Sequence, residues 1–290
     1  MHPAPSVILF TALSGLGFGL LAWLGLGMPD VFGGMAFAFY FIGYALAVGG
    51  LIFSVFHLGN PKNAPKAFSQ WRTSWLSREA VLSVIALLTV AVHAIGRIFF
   101  DTALPTIGVI GSVLCLITVF STSMIYAQLK TIPRWNRPMT PVLFLLYSVT
   151  GGALLAGQVS IAIWLLCVLA VLQVVAWWQG DGRFSSSGST RETATGLGHI
   201  GKVRLLESPH SGSNYLLKEM VHQIGRKHAQ KLRVISVILL GILPVGVLLA
   251  FPGAHAWAAV AVISHLAGVF ASRSLFFAEA EHVVRLYYGK

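Results

Sequence analysis

Five side chains have chemistry that does not suit their surroundings. His57, Arg78, Glu79, Tyr126 and Arg273 sit at the ends of long apolar stretches, and the first three lie in FHLGNPKNAPKAFSQWRTSWLSREAVL, Phe56 to Leu82. An ionisable residue at or inside an apolar span is costly and is a functional candidate by default. A titratable imidazole and a carboxylate beside a phenol, at one membrane depth, could bind a quinone headgroup and exchange two protons with it. Glu79 also has a structural reading. SWLSREA makes Ser77 a helix N-cap and puts the carboxylate in the first turn, where the helix dipole favours it.

The elements that must position these residues follow from composition. The chain has 290 residues, 56% hydrophobic and 10% charged, with mean hydropathy +0.78. Soluble domains carry about 25% charged residues. Apolar runs of about 20 residues match the thickness of a bilayer. The reading is an all-α integral membrane protein with eight transmembrane helices, near 6–28, 33–57, 79–100, 104–128, 140–159, 161–179, 232–251 and 255–276. Spans five and six share almost no loop, so a tight hairpin is required. The run from Val7 to Gly27 lacks a preceding positive charge and is expected to be a retained span rather than a signal peptide. Segment 180–231 is polar and Gly/Ser/Thr-rich at its start. It reads as an extended loop ending, from Asn214, in an amphipathic helix that leads into span seven.

Charge orients this plan. With eight spans, nineteen of the twenty Lys and Arg fall on one side and only Arg97 on the other. The positive-inside rule puts both termini and the basic loops in the cytoplasm. The net charge of +11 is thereby explained without nucleic acid. Trp71, Trp75, Trp135, Trp177 and Trp178 fall at the cytoplasmic boundary, and Trp23, Trp164 and Trp257 near the other, as an interfacial belt would.

Other polar residues have bland readings. Arg97 and Asp101, one helical turn apart, read as an ion pair. His93 and His265 lie roughly 20 Å and 17 Å from the cytoplasmic ends of their helices at 1.5 Å per residue. That could suit a bis-histidine haem, but single histidines bonded to a neighbouring helix are commoner, and no haem is expected. Cys115 and Cys167 lie in apolar runs and read as buried free thiols. Two cysteines cannot supply the roughly four ligands of an iron–sulfur cluster, and no metal site is expected.

HLGNPKNAPKAFSQWRTSWLSREAVL resembles the signature of the dimethyl sulfoxide reductase membrane-anchor family, in which an HLG-x-P stretch leads to a Ser-x-Glu helix start. YAQLKTIPRWNRPMTP is similar to a second stretch of that family. TGLGHIGKVRLLESPHSGSNYLLKEM and RSLFFAEAEHVVRLYYG look like the subgroup that anchors cytoplasmic sulfite dehydrogenases. The resemblance implies a bacterial inner-membrane anchor holding an iron–sulfur electron-transfer subunit and a molybdopterin catalytic subunit. It implies a quinone site, without haem, in which His57 and Glu79 match the family's histidine and acid. Tyr126 and Trp135 match less closely, and His2 in MHPAPS is a further candidate at the N-terminal edge. Arg78 lies beside the site, and Lys62, Lys66, Trp71, Arg72 and Arg134 would dock the partner. The charge count places catalytic partners on the cytoplasmic face, which favours electron flow from sulfite to quinone.

Three other readings stand beside this one. The module could run backwards, oxidising quinol to reduce a sulfoxide or polysulfide. It could be a tether with no redox site. It could be a transporter, although no broken helix with buried charge at mid-membrane is visible. The topology is directly testable. A green fluorescent protein fused after Lys290 is expected to fluoresce and an alkaline phosphatase fused there to be inactive; the opposite pattern would invert the assigned orientation.

Overall fold

The computed structural model describes residues 4–56, 60–207, 210, 212, 214, 220 and 228–288. His57 and His2 lie outside the described residues, as does most of the amphipathic segment expected after Asn214. The described elements are helical. They are α1 (Pro5–Gly25), α2 (Gly33–Val55), a 3-10 turn (Pro61–Phe68), α3 (Trp75–Phe99), α4 (Pro105–Ala127), α5 (Met139–Leu155), α6 (Val159–Asp181), the short α7 (Arg183–Ser186) and α8 (Arg191–Thr195), α9 (Ala229–Val237), a π segment (Ile238–Ile242), α10 (Leu243–Ala250), α11 (His255–Ala278) and a 3-10 turn (Val283–Tyr288). Counting α9 to α10 as one, seven helices among the described residues are long and apolar enough to cross a membrane. The fifth expected span, α5, has 17 residues, about 26 Å at 1.5 Å per residue. The polar segment after α6 is not wholly extended, since α7 and α8 form within it.

The bundle is organised around α1. Two-thirds of its apolar window (67%) is buried, against 28% for α2 and for α6. The reason is small residues. A Cβ on Gly50 of α2 would collide with the backbone of Ser14, and one on Gly152 of α5 with the backbone of Gly19. Bare glycine surfaces let the helices touch at backbone distance, which is how membrane helices gain packing without a hydrophobic drive. Hydroxyls add cross-links. Ser112 of α4 donates to Ala22 O (2.6 Å) and Ser148 of α5 to Gly15 O (2.6 Å). The expected tight hairpin between α5 and α6 is formed by Ala156–Gly157–Gln158, with Gly157 at φ +67°.

Unpaired backbone groups are not tolerated in hydrocarbon, and the last two helices show how that is met. Pro244 has no N–H, so the carbonyl four residues earlier, Leu240 O, has no helical donor. The chain takes a π turn over Ile238–Ile242. Ser264 Oγ then donates to Leu239 O (2.9 Å), and His265 Nδ1 lies 2.8 Å from Leu240 O. A carbonyl can only accept, so His265 is protonated on Nδ1. His93 is fixed likewise. Its Nε2 accepts from Arg97 Nε (3.1 Å) and its Nδ1 faces Leu104 O at 3.0 Å. Both deep histidines therefore bond to neighbouring helices.

Several expectations are corrected. Arg97 pairs with Asp30, not Asp101: Arg97 Nη1 is 2.7 Å from Asp30 Oδ1 and 3.2 Å from Val31 O. The turn between α1 and α2 folds back under α3, whereas Asp101 has left the helix with φ +48°. Ser77 is not an N-cap. The helix starts at Trp75, after Ser74, because Trp75 packs edge-on against Phe120 of α4 at 5.9 Å and draws an extra turn into the helix. Trp135 is buried, 2% exposed, so its ring packs inside the bundle rather than facing outward. Cys115 is buried as expected, whereas Cys167 is exposed on α6.

These contacts rank two substitutions. Gly152→Leu is expected to overpack the α1–α5 crossing and cost about 1–3 kcal/mol. Asp30→Asn should cost under about 1 kcal/mol, because the Asp30 side chain is 72% exposed. Thermal melts of the purified protein in detergent check both; equal melting points for the two variants would contradict the ranking.

Candidate functional site

The relevant end of the bundle is where α3 and α5 begin and α4, α6 and α11 finish. Glu79 lies there in the second turn of α3. The first turn holds no acidic residue, so the helix-dipole reading of Glu79 does not hold. Its carboxylate is buried, 6% exposed, and Oε1 accepts a hydrogen bond from the hydroxyl of Thr122 on α4. No ion pair to Glu79 is found among the described residues. An isolated buried carboxylate is expensive, which separates Glu79 from the other acids.

Arg78, its neighbour in sequence, turns about 100° away on the helix. Its Nε donates to Trp71 O (3.1 Å) and its Nη2 to Arg72 O (2.7 Å), and it stacks over Trp75 at 4.3 Å. Arg78 therefore closes the end of the loop and does not touch Glu79. In that loop Lys62, Lys66, Phe68, Trp71 and Arg72 are all exposed, with Arg72 near the Trp71 ring at 5.6 Å.

Tyr126 and Trp135 meet in an aromatic cluster. Their ring centroids are 5.3 Å apart, and both pack on Phe276 and Phe277. The Trp135 N–H donates to Phe276 O at 2.9 Å, which pins the TIPRW loop onto the end of α11. Tyr126 also packs on Phe144 of α5 at 5.7 Å. Phe144 also carries Arg273, whose guanidinium stands 3.7 Å over that ring and 4.8 Å from the Tyr147 ring. Arg273 is 4% exposed, and its Nε has no hydrogen-bond partner. The structure thus brings Glu79, Tyr126, Trp135 and Arg273 to one end of the bundle through Thr122 and Phe144, and leaves Arg78 outside.

Arg134 lies inward rather than on the docking face. Its guanidinium bonds Asp181 Oδ1 (3.0 Å) and Glu279 Oε2 (2.6 Å), and Arg233 bonds the same two acids (2.5 and 2.7 Å). This four-residue clamp joins the 128–138 loop, α6, α9 and α11. Arg137 beside it is half-buried. Burial, with Arg134 and Arg183 nearby, pushes its pKa down to about 10, so it stays charged at neutral pH. Arg137 Nη2 donates to Ala176 O (2.5 Å), and its Nε and Nη1 are buried without partners.

Several functional-looking residues were not singled out from the sequence. Tyr147, Gln173 and Ser272 meet between α5, α6 and α11: Tyr147 Oη is 2.9 Å from Gln173 Oε1 and 2.5 Å from Ser272 Oγ. The signal was available, since Gln173 is the amide placed in the middle of the otherwise apolar VLAVLQVVAWW. No group of three or more His, Cys, Asp or Glu side chains converges among the described residues.

The clamp sets a prediction. Glu279→Ala is expected to cost about 3 kcal/mol, because it removes the buried partner, 5% exposed, of two guanidiniums and leaves them only the half-exposed Asp181. Asp181→Ala should cost about 1 kcal/mol or less, because Asp181 is 47% exposed. Detergent melts and the yield of folded protein check this; equal losses would mean that burial does not control the clamp.

Comparison with known proteins gives two findings. A family described as DMSO reductase anchor subunit (DmsC) matches residues 5–279. The chain is also 30% identical over 326 aligned positions to a sulfite dehydrogenase subunit from Allochromatium vinosum, covering 99% of each chain. No solved structure matches it.

Proposed function

The chain belongs to the DMSO reductase anchor subunit family, and from that premise we propose that it passes electrons from sulfite oxidation, through an iron–sulfur partner, to membrane quinone. The family supports the role of membrane anchor, and the name of the relative, a subunit of sulfite dehydrogenase, supports sulfite as the donor. The molybdopterin and iron–sulfur centres belong to partner subunits, where sulfite takes up an oxygen from water and gives up two electrons. Quinone accepts those two electrons and two protons to become quinol.

The topology proposed with this function has eight spans, α5 being the shortest, and both termini in the cytoplasm. The support is the charge asymmetry, with nineteen of twenty basic residues on one side. The membrane is the inner membrane of a bacterium, and the partners sit on its cytoplasmic face. The exposed Lys62, Lys66, Trp71 and Arg72 offer them a basic, aromatic surface, and charge complementarity would steer an acidic partner to it.

The observation that carries the reading is Glu79: a buried carboxylate, bonded to Thr122, at the end of the bundle where the basic loops lie. A tether has no use for such a group. Glu79 takes a proton from the cytoplasmic side and hands it to reduced quinone, and His57, from the same motif, hydrogen-bonds a quinone oxygen. Tyr126 and Trp135 hold the aromatic wall in place. The reverse direction, quinol oxidation coupled to sulfoxide or polysulfide reduction, uses the same groups.

The test is sulfite-dependent reduction of decylubiquinone by the purified complex. Glu79→Gln and His57→Ala are each expected to lower turnover at least about 100-fold with the complex still assembled. Full activity in both variants would leave the chain a tether. Activity only with quinol and a sulfoxide would keep the anchor and reverse the direction.

A further inference from the structure

We propose that an anionic phospholipid binds at the corner where α5 begins and α6 ends, with its phosphate on Arg137 and Arg183 and an acyl chain in the groove between α6 and the α9–π segment. The site is separate from the α2–α3 motif and does not depend on quinone chemistry.

The charge at this corner is unbalanced. Arg134, Arg137, Arg183 and Arg233 gather there with two acids, Asp181 and Glu279, and Arg134 and Arg233 bind both. Arg285, over the Phe184 ring of α7, is paired with Glu281. Arg137 and Arg183 form no ion pair among the described residues. Arg137 is held by Ala176 O through Nη2, and its Nε and Nη1 have no partner. Burial, then the charges of Arg134 and Arg183, hold the Arg137 pKa down at about 10, and Asp181 acts against them. Two charged guanidiniums are therefore neighbours, and the nearby acid is already doubly bound. A phosphate supplies the missing counter-charge, and its oxygens match the planar fork of an arginine.

The shape of the corner suits a lipid. An open notch of about 440 Å³ is lined by Arg137 and Arg183 together with Pro138, Trp178 and Gln179. A groove of about 450 Å³ adjoins it, with Val174, Trp177 and Trp178 on one wall and Val234, Ile238 and Ile242 on the other. Trp178 lines both and is 78% exposed. From Gln230 to Ile242 the groove runs about 18 Å at 1.5 Å per residue, close to the roughly 15 Å of hydrocarbon in one leaflet. Both walls belong to helices long and apolar enough to cross a membrane. In a bilayer such a groove is filled by an acyl chain. Trp178 then stands at the junction of chain and headgroup, the level at which membrane tryptophans concentrate. A basic pocket at the cytoplasmic ends of spanning helices is a headgroup site of this kind.

Notch and groove together select the ligand. Free phosphate would use the arginines and leave the groove empty. A zwitterionic lipid would fill the groove but bring its own cation to two arginines. An anionic phospholipid meets both demands.

The experiment uses the full-length chain purified in dodecyl maltoside and titrated with dioleoyl phosphatidylglycerol or dioleoyl phosphatidylcholine, with bound lipid read by native mass spectrometry. Phosphatidylglycerol is expected to bind at least about tenfold more tightly. Arg137→Gln and Arg183→Gln should each weaken it about tenfold and leave phosphatidylcholine unchanged. Lys202→Gln, an exposed lysine that lines neither cavity, should stay within about twofold of wild type. Phosphatidylglycerol carrying a diazirine on its acyl chain should label residues 159–181 or 229–250, and excess phosphatidylglycerol should suppress that label. Equal affinity for the two lipids, or an equal loss in Lys202→Gln, would overturn the proposal. Suppression of the label by inorganic phosphate as effective as that by phosphatidylglycerol would assign the arginines to free phosphate and overturn it too. Should Arg137→Gln fail to fold, Arg183→Gln decides, because Arg183 is exposed and no contact of the bundle rests on it.

Discussion

The contact on which the rest depends is the backbone-to-backbone approach of α1 to its neighbours. At Gly50 and Gly152 there is no room for a methyl group, so α2 and α5 lie closer to α1 than ordinary side chains allow. That closeness makes α1 the buried axis and brings its hydroxyls, Thr11 and Ser14, within reach of α4 and α11. A wider crossing would separate Thr122 from Arg273, and the polar end of the bundle would fall into unconnected pieces. Packing and chemistry are coupled here because small residues serve both.

A second constraint is the intolerance of hydrocarbon for unsatisfied polar groups. It gives several deep polar residues a packing role. His265 and Ser264 cap carbonyls that Pro244 leaves without a helical donor, and His93 completes a chain from Asp30 through Arg97 to Leu104 O. Against that background the groups left unsatisfied are informative. Arg273 and Arg137 carry donors without partners, and Glu79 is a buried acid with a neutral partner. His265 Nε2 is likewise buried without a partner, whereas the charged groups of the clamp, Arg134, Arg233, Asp181 and Glu279, pair with one another.

The clamp also separates two jobs within one motif. In YAQLKTIPRWNRPMTP, Trp135 is driven into the core and Arg134 into the clamp, which anchors the loop. Arg137, three residues on, is left with buried N–H groups without partners. Similarly, in SWLSREA, Arg78 secures the loop and Glu79 enters the bundle. Neighbouring residues on a helix diverge by about 100°, so adjacency in sequence gave no contact in either case.

Long apolar runs, their order and the tight hairpin before Val159 were determined by sequence alone, because hydropathy is a local sum that needs no partner. The candidacy of Glu79, Tyr126 and Arg273 was equally legible, since an ionisable or phenolic group beside an apolar run is improbable without a reason. Which of these groups meet was decided only by the tertiary structure. Spacing along the chain paired Arg97 with Asp101, yet the turn after α1 delivers Asp30 instead. The apolar pattern hid the meeting of Tyr147, Gln173 and Ser272, because three helices far apart in sequence supply them and each residue alone reads as a tolerated polar side chain. Helix rotation and crossing geometry, set by glycine contacts across the bundle, decide which residues of similar depth touch.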